Sequence, residues 1–153
     1  MKRIFLIITM CLSFVSFQTA YASEQDVLMV RSSLPFPEAM SVLQNTIIEH
    51  NYTLSRVQRI DVGLEKAGYK TDRYRIVFYG RHDEIKAIVE KHPEMAAYLP
   101  LKFALFSEGS DTLLVTLNPF IYSGIVEDES LNPMFARWSA DAKLIMDEFT
   151  KAE

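Results

Sequence analysis

The apolar stretch "YLPLKFALFSEGSDTLLVTLNP", Tyr98 to Pro119, contains one lysine, Lys102, and one asparagine, Asn118. A lysine amine among apolar neighbours can hold an anionic or carbonyl-bearing ligand. If desolvation lowers its proton affinity, it can also act as a nucleophile. With Asn118 as a second polar group, Ala104, Leu114 and Thr116 would floor a cleft, and Tyr79 would stand at its rim. The plainer reading is that Lys102 runs its stem over apolar surface with the charge in water, while Asn118 and Pro119 shape the end of a strand.

Other chemistry is thinly supplied. His50, His82 and His92, with Asp83 and Glu84 nearby, invite a metal, but His82 and His92 lie ten residues apart and cannot share one helix face. No zinc-ligand spacing is present, so no metal site is expected. The chain has no Gly-x-Ser-x-Gly motif and no glycine-rich phosphate loop, and beyond Cys11 it has no cysteine. The acids around Glu90 to Glu94 and in "VEDES" read as solvated faces. No catalytic residue and no cofactor are expected.

The first residues, "MKRIFLIITMCLSFVSFQTAYASEQD", combine Lys2 and Arg3, an apolar run to about Phe17 and the triplet Ala20-Tyr21-Ala22, the pattern of a secretory signal peptide cleaved after Ala22. The run is too short to span a bilayer, which disfavours a retained anchor, and Met10 before Cys11 disfavours lipid attachment. The expected product, residues 23–153, suits one domain with one core, exported to the periplasm. Loss of Lys2 and Arg3 takes the formal charge from −4 to −6. That balance argues against nucleic acid as a partner, and no membrane association is expected after cleavage.

The elements that must position these residues follow from periodicity. Asp26 to Ser33 alternates as a strand with apolar residues on both faces, which predicts an inner strand. Phe36, Met40, Leu43 and Ile47 are spaced as a helix stripe, with Asn51 able to take the left-handed conformation at its end. Tyr52 to Asp61 reads as a strand, "VGLEKAGY" as a turn, and Asp72 to Gly80 as a firmer strand with Tyr74, Ile76 and Phe78 on one face. Ile85, Ile88, Val89 and His92 mark a helix ended by Pro93.

In the opening stretch, Leu101, Phe103 and Leu105 alternate with Lys102, Ala104 and Phe106. A loop of three or five residues pairs Leu105 with Val115 and Phe103 with Leu117, keeps one face uniformly apolar, and sets Lys102 opposite Asn118. A two-residue turn at Gly109-Ser110 would mix the sets. A last helix over about residues 133–150, capped by Asn132, carries Trp138, Ala142, Ile145 and Phe149 at spacings of 4, 3 and 4. The order β-α-β-β-α-β-β-α predicts an α+β domain, about five antiparallel strands with helices packed on them.

From about Leu28 to Pro119 the chain resembles the bacterial and archaeal domain-of-unknown-function family 302. The likeness is carried by Ser33-x-x-Phe36, "IDVGLEKAGY", the "FYG" strand end, the spacing of Pro93 and Ala96, "LPLK" at Leu99 to Lys102, and "NP" at Asn118-Pro119. The resemblance implies one compact domain similar to the TATA-binding-protein-like, helix-grip arrangement, a curved sheet holding a long C-terminal helix. It implies no reaction. The chain departs from the family pattern in its signal peptide and in "RHDEIKAIVEKH", which stands where a glycine-containing segment is common.

Two functions are expected ahead of catalysis. One is a binding or accessory domain holding a small apolar or anionic ligand at Lys102, Asn118 and Tyr79. The other is a protein-interaction module that meets a partner or a second copy through a half-apolar sheet face, Ala104, Phe106 and Leu114. A small lysine-dependent enzyme comes third.

Overall fold

The computed structural model describes residues 26–152; the export segment expected at residues 1–22 lies outside them. Strand β1 (Val27–Ser32) leads into α1 (Phe36–Glu49), β2 (Thr53–Arg59), a short α2 (Ile60–Lys66), β3 (Tyr74–Gly80) and α3 (His82–Lys91). A 3-10 turn over Pro93–Ala97 precedes the hairpin β4 (Leu101–Glu108) and β5 (Asp111–Leu117). Two further 3-10 turns, Pro119–Gly124 and Glu129–Leu131, connect to α4 (Asn132–Lys151). The five strands form one antiparallel sheet in the order β1-β5-β4-β3-β2, so the α+β architecture is as expected.

The helix stripes become one side of the core. Leu43 and Ile47 of α1 and Trp138, Ala142, Ile145 and Phe149 of α4 are buried, and they join Val77, Tyr79, Phe103, Leu105 and Leu114 from the sheet in one cluster. Asn51 takes the expected left-handed conformation with φ 61° after α1. Asn132 is the first residue of α4 rather than its cap, and no side chain caps that end.

Three further sequence expectations are corrected. The first is the hairpin register. Leu105 pairs with Leu114, Ala104 with Val115 and Glu108 with Asp111, across a two-residue turn at Gly109-Ser110 in which Gly109 has φ 64°. The uniformly apolar face required by the longer loop is unnecessary, because Thr112 and Thr116 satisfy their hydroxyls on the core side. Thr112 Oγ1 donates to the Leu34 carbonyl at 2.8 Å and Thr116 Oγ1 to the Lys102 carbonyl at 2.8 Å.

The second concerns β1, which is an edge strand and not an inner one. Leu28, Val30 and Ser32 turn to the core side, while Val27 is 50 % exposed and Met29 63 % exposed on the other. Apolar residues on both faces therefore mark a strand with two apolar surfaces, one of them left uncovered.

The third is α2, a helix where the sequence predicts a turn flanked by Gly63 and Gly68. The Asp61 carboxylate accepts the Val62 N–H at 2.8 Å within the first turn and pairs with Arg75 of β3. Those contacts outweigh the ~1 kcal/mol that one glycine costs inside a helix. Gly68, with φ 89°, ends the segment, and the Tyr69 N–H reaches back to the Leu64 carbonyl at 3.0 Å.

Arg75 alternates onto the core side of β3, which explains why Asp61 is buried beside it. The guanidinium holds the Asp61 carboxyl below the usual carboxylate range. The folded state thus binds this proton less readily than the unfolded chain. The stability it contributes is complete above the ordinary carboxylate pKa of about 4 and is lost as pH falls through the depressed folded value. Asp61→Asn should cost about 1–2 kcal/mol at neutral pH, less than a fully buried pair because Arg75 keeps some water contact. Urea unfolding at pH 7 and pH 3 checks it. The variant should also lose less stability than the parent between those pH values.

Candidate functional site

Because strand side chains alternate and the core takes one set, the other set forms the opposite sheet face. No described helix lies on it. The register sorts this face into rows running across the strands. One row contains Val27, Leu117, Lys102, Phe78 and Arg56, with Lys102 placed across from Leu117 by continuing the β4–β5 register. The middle row is Met29, Val115, Ala104, Ile76 and Gln58. The third is Arg31, Leu113, Phe106 and Tyr74, with the Tyr74 and Phe106 rings edge-to-face at 6.2 Å. Beyond it lie Asp111 and Glu108, both paired with Arg31.

An apolar band thus crosses β1, β5, β4 and β3, bordered by Arg56 and Gln58 of β2, with Lys102 at one end and Arg31 with its two acids at the other. A shallow cavity of about 310 Å³ opens on it, lined by strand residues alone: Val27, Tyr74, Ile76, Lys102, Ala104, Val115, Thr116 and Leu117. Among the described residues the Lys102 ammonium has neither an ion-pair nor a hydrogen-bond partner.

The three residues expected to share a cleft are not brought together. Lys102 is on the open face with Ala104 and Phe106, as its strand alternation requires. Asn118 is 2 % exposed, and its Oδ1 accepts the Phe120 N–H at 3.1 Å, capping the 3-10 turn after β5. Of the expected floor, Ala104 and Thr116 line the open-face cavity, Thr116 being nearly buried with its hydroxyl on the Lys102 carbonyl, whereas Leu114 is buried on the helix side. Tyr79 is 1 % exposed in the core, stacked on Phe103 at 4.9 Å and edge-on to Tyr52 at 5.3 Å.

The Tyr79 hydroxyl has no hydrogen-bond partner among the described residues, and burial pushes its pKa well up. An unpaired buried hydroxyl costs free energy that a phenylalanine does not. Tyr79→Phe should therefore leave stability unchanged or raise it by about 1 kcal/mol. A fall of that size in urea unfolding would mean that the hydroxyl has a working partner.

A second cavity, about 360 Å³, lies between α3 and α4, lined by Asp83, Glu84, Ile88, Lys91, His92 and Met134 among others. Three of its polar groups, Glu84, Lys91 and His92, are engaged by neighbouring residues. His92 lies 3.1 Å from Asp128 through Nε2 and 3.3 Å from Glu94 through Nδ1, and Lys91 reaches Asp128 at 2.5 Å. The Lys91 ammonium, with Ser130 and His92, holds the Asp128 carboxyl far below the usual range. Glu84 accepts from Arg137 at 2.7 Å and from Trp138 Nε1 at 2.8 Å. These contacts fasten α3 to α4 and its preceding loop.

The remaining histidines lie elsewhere, His50 beside Glu148 of α4 at 3.1 Å and His82 at the start of α3. Among the described residues no group of His, Cys, Asp and Glu is arranged to hold a metal, and no helix is long and apolar enough to cross a membrane.

Sequence reasoning assigned Ala104 and Phe106 to this face and missed the contributions of β1 and β3. The usable signals were present: Val27 and Met29 alternating with the core residues of β1, and Tyr74, Ile76 and Phe78 forming a complete apolar set in β3.

An α+β domain with a five-stranded antiparallel sheet, helices on one face and none of the described helices on the other, is the class these features define. The chain belongs to the domain-of-unknown-function family DUF302, whose profile matches residues 28–149. That span includes nearly all of α4 as well as the region up to Pro119 in which the resemblance was read. The crystal structure of an uncharacterized conserved DUF302 protein from Bacillus stearothermophilus is similar in fold, with a TM-score of 0.73 at 15 % identity over 82 % of this chain and 98 % of that one. No curated protein matches the chain.

Proposed function

We propose that this chain works, after export, as a binding module whose working surface is the uncovered face of its sheet. The observation that carries the reading is the apolar band across β1, β5, β4 and β3, with Val27 and Met29 exposed at its edge. Contiguous apolar surface of this extent, rimmed by charge, is the usual mark of a docking site rather than of a free surface. The α3–α4 cavity is the weaker candidate, because its Glu84, Lys91 and His92 are already held by neighbouring residues.

A second reading rests on Lys102. Its unpartnered ammonium at the edge of a 310 Å³ apolar hollow suits an anionic amphiphile such as a carboxylate with a short alkyl chain. In that case a thermal shift with the amphiphile should disappear in Lys102→Ala.

The test of the main reading is native mass spectrometry of the full-chain product purified gently from its export compartment. It should retain a second copy, a partner polypeptide or an amphiphile. Val115→Glu, at the centre of the face, should lose it. A bare monomer at every concentration, from parent and variant alike, would remove the reading.

A further inference from the structure

We propose that the occupant of the open face is a second copy of this chain, packed about a two-fold axis that crosses the two β4 strands. The inference rests on the docking reading above and names its partner and geometry. β4 is the middle strand of the five, so a symmetric sheet-on-sheet pair is centred there. Two sheets packed face to face cross at about 30°, so the central strands lie closest at their midpoints and long side chains bridge the few ångströms by which their ends diverge.

Two axis directions are compatible with face-to-face packing. An axis along the strands lays the Lys102 row of one copy on the Lys102 row of the other, setting like charges together. An axis across the strands reverses β4 on β4. Lys102 of each copy then lies against Glu108 of the partner subunit, and Ala104 against Phe106 of the partner subunit. The second arrangement satisfies charge and volume together. The ammonium with no partner in one copy meets a carboxylate that its own copy pairs only with the exposed Arg31, and the smallest side chain of the strand receives the largest. The symmetry supplies each contact twice.

The area is adequate. Five strands at ~4.8 Å spacing and about seven residues at ~3.3 Å give roughly 550 Å² per copy, or about 1,100 Å² for the pair. Specific interfaces begin near 1,000 Å² in total.

Charge reversal tests the geometry. Lys102 and Glu108 are surface residues outside the core cluster, so circular dichroism melts should show every variant folded. Sedimentation equilibrium on the full-chain product should show a dimer. Lys102→Glu and Glu108→Lys should each weaken it about tenfold, and the double variant should return to within about threefold of the parent, because the pair is restored with its sign exchanged. If the double variant is as weak as the worse single one, or neither single change matters while Val115→Glu still dissociates the dimer, the axis is wrong and the docking face stands. If the parent is a monomer that retains a different polypeptide or an amphiphile, self-pairing is overturned and the face survives. If it is a bare monomer, both fail.

Discussion

Ala104→Glu will leave the domain folded and strip it of its partner. Ala104 lies on the middle strand between Ile76 and Val115, on the side that no described helix covers. In the monomer a glutamate there can reach water, so its cost to folding should stay within about 1 kcal/mol, as for most partly exposed strand substitutions. In the docked state the same carboxylate is buried against apolar surface, and the Lys102 ammonium two residues away is engaged by Glu108 of the partner subunit. Burying an unpaired charge costs several kcal/mol, and a loss of about 4 kcal/mol corresponds to roughly a thousandfold weaker association. The checks are sedimentation for association and thermal melting at high dilution for the fold. A variant that melts far below the parent would show that Ala104 belongs to a packed interior. One that associates normally would show that the face is idle.

Phe103→Ala, one residue earlier, should do the opposite. The Phe103 side chain is fully buried beneath the helices and stacked on Tyr79 with the rings 7° from parallel. Removing it takes away a large apolar surface and leaves a cavity that the flanking residues, fixed in the ladder, can close only in part. The expected loss is about 3–5 kcal/mol, a large share of the 5–15 kcal/mol that typically holds a domain together. Urea unfolding should show the midpoint falling with its slope retained. Adjacent residues of one strand thus give opposite phenotypes, one in association and one in stability. A loss below about 1 kcal/mol for Phe103→Ala would mean that the sheet faces have been assigned the wrong way round.

The order of elements was legible because most segments carry a strong period. The stripe Trp138, Ala142, Ile145 and Phe149 fixes α4 and its buried face, and the alternation of Tyr74 to Gly80 fixes β3. The hairpin register was not legible from apolarity. Threonine can be buried when its hydroxyl finds a backbone carbonyl, as Thr112 and Thr116 do, so the criterion of a uniformly apolar core face pointed to the wrong loop length. That error moved Asn118 onto the face of Lys102. The face of a strand is a local property, but which face the helices cover is a tertiary one. β1 showed apolar residues on both sides, and nothing along the chain said that one of those sides would be bare. The Asp61–Arg75 pair was hidden for the same reason, since its members lie on separate elements that only the fold brings together.

The most direct measurement is hydroxyl-radical footprinting of the full-chain product at low and high concentration, followed at Met29 and Phe106 on the open face and at Ile48 and Leu144 on the exposed sides of α1 and α4. The account predicts that Met29 and Phe106 lose reactivity as the protein associates and regain it in Ala104→Glu, while Ile48 and Leu144 react alike throughout. Equal reactivity at Met29 and Phe106 under every condition, in parent and variant, would contradict it.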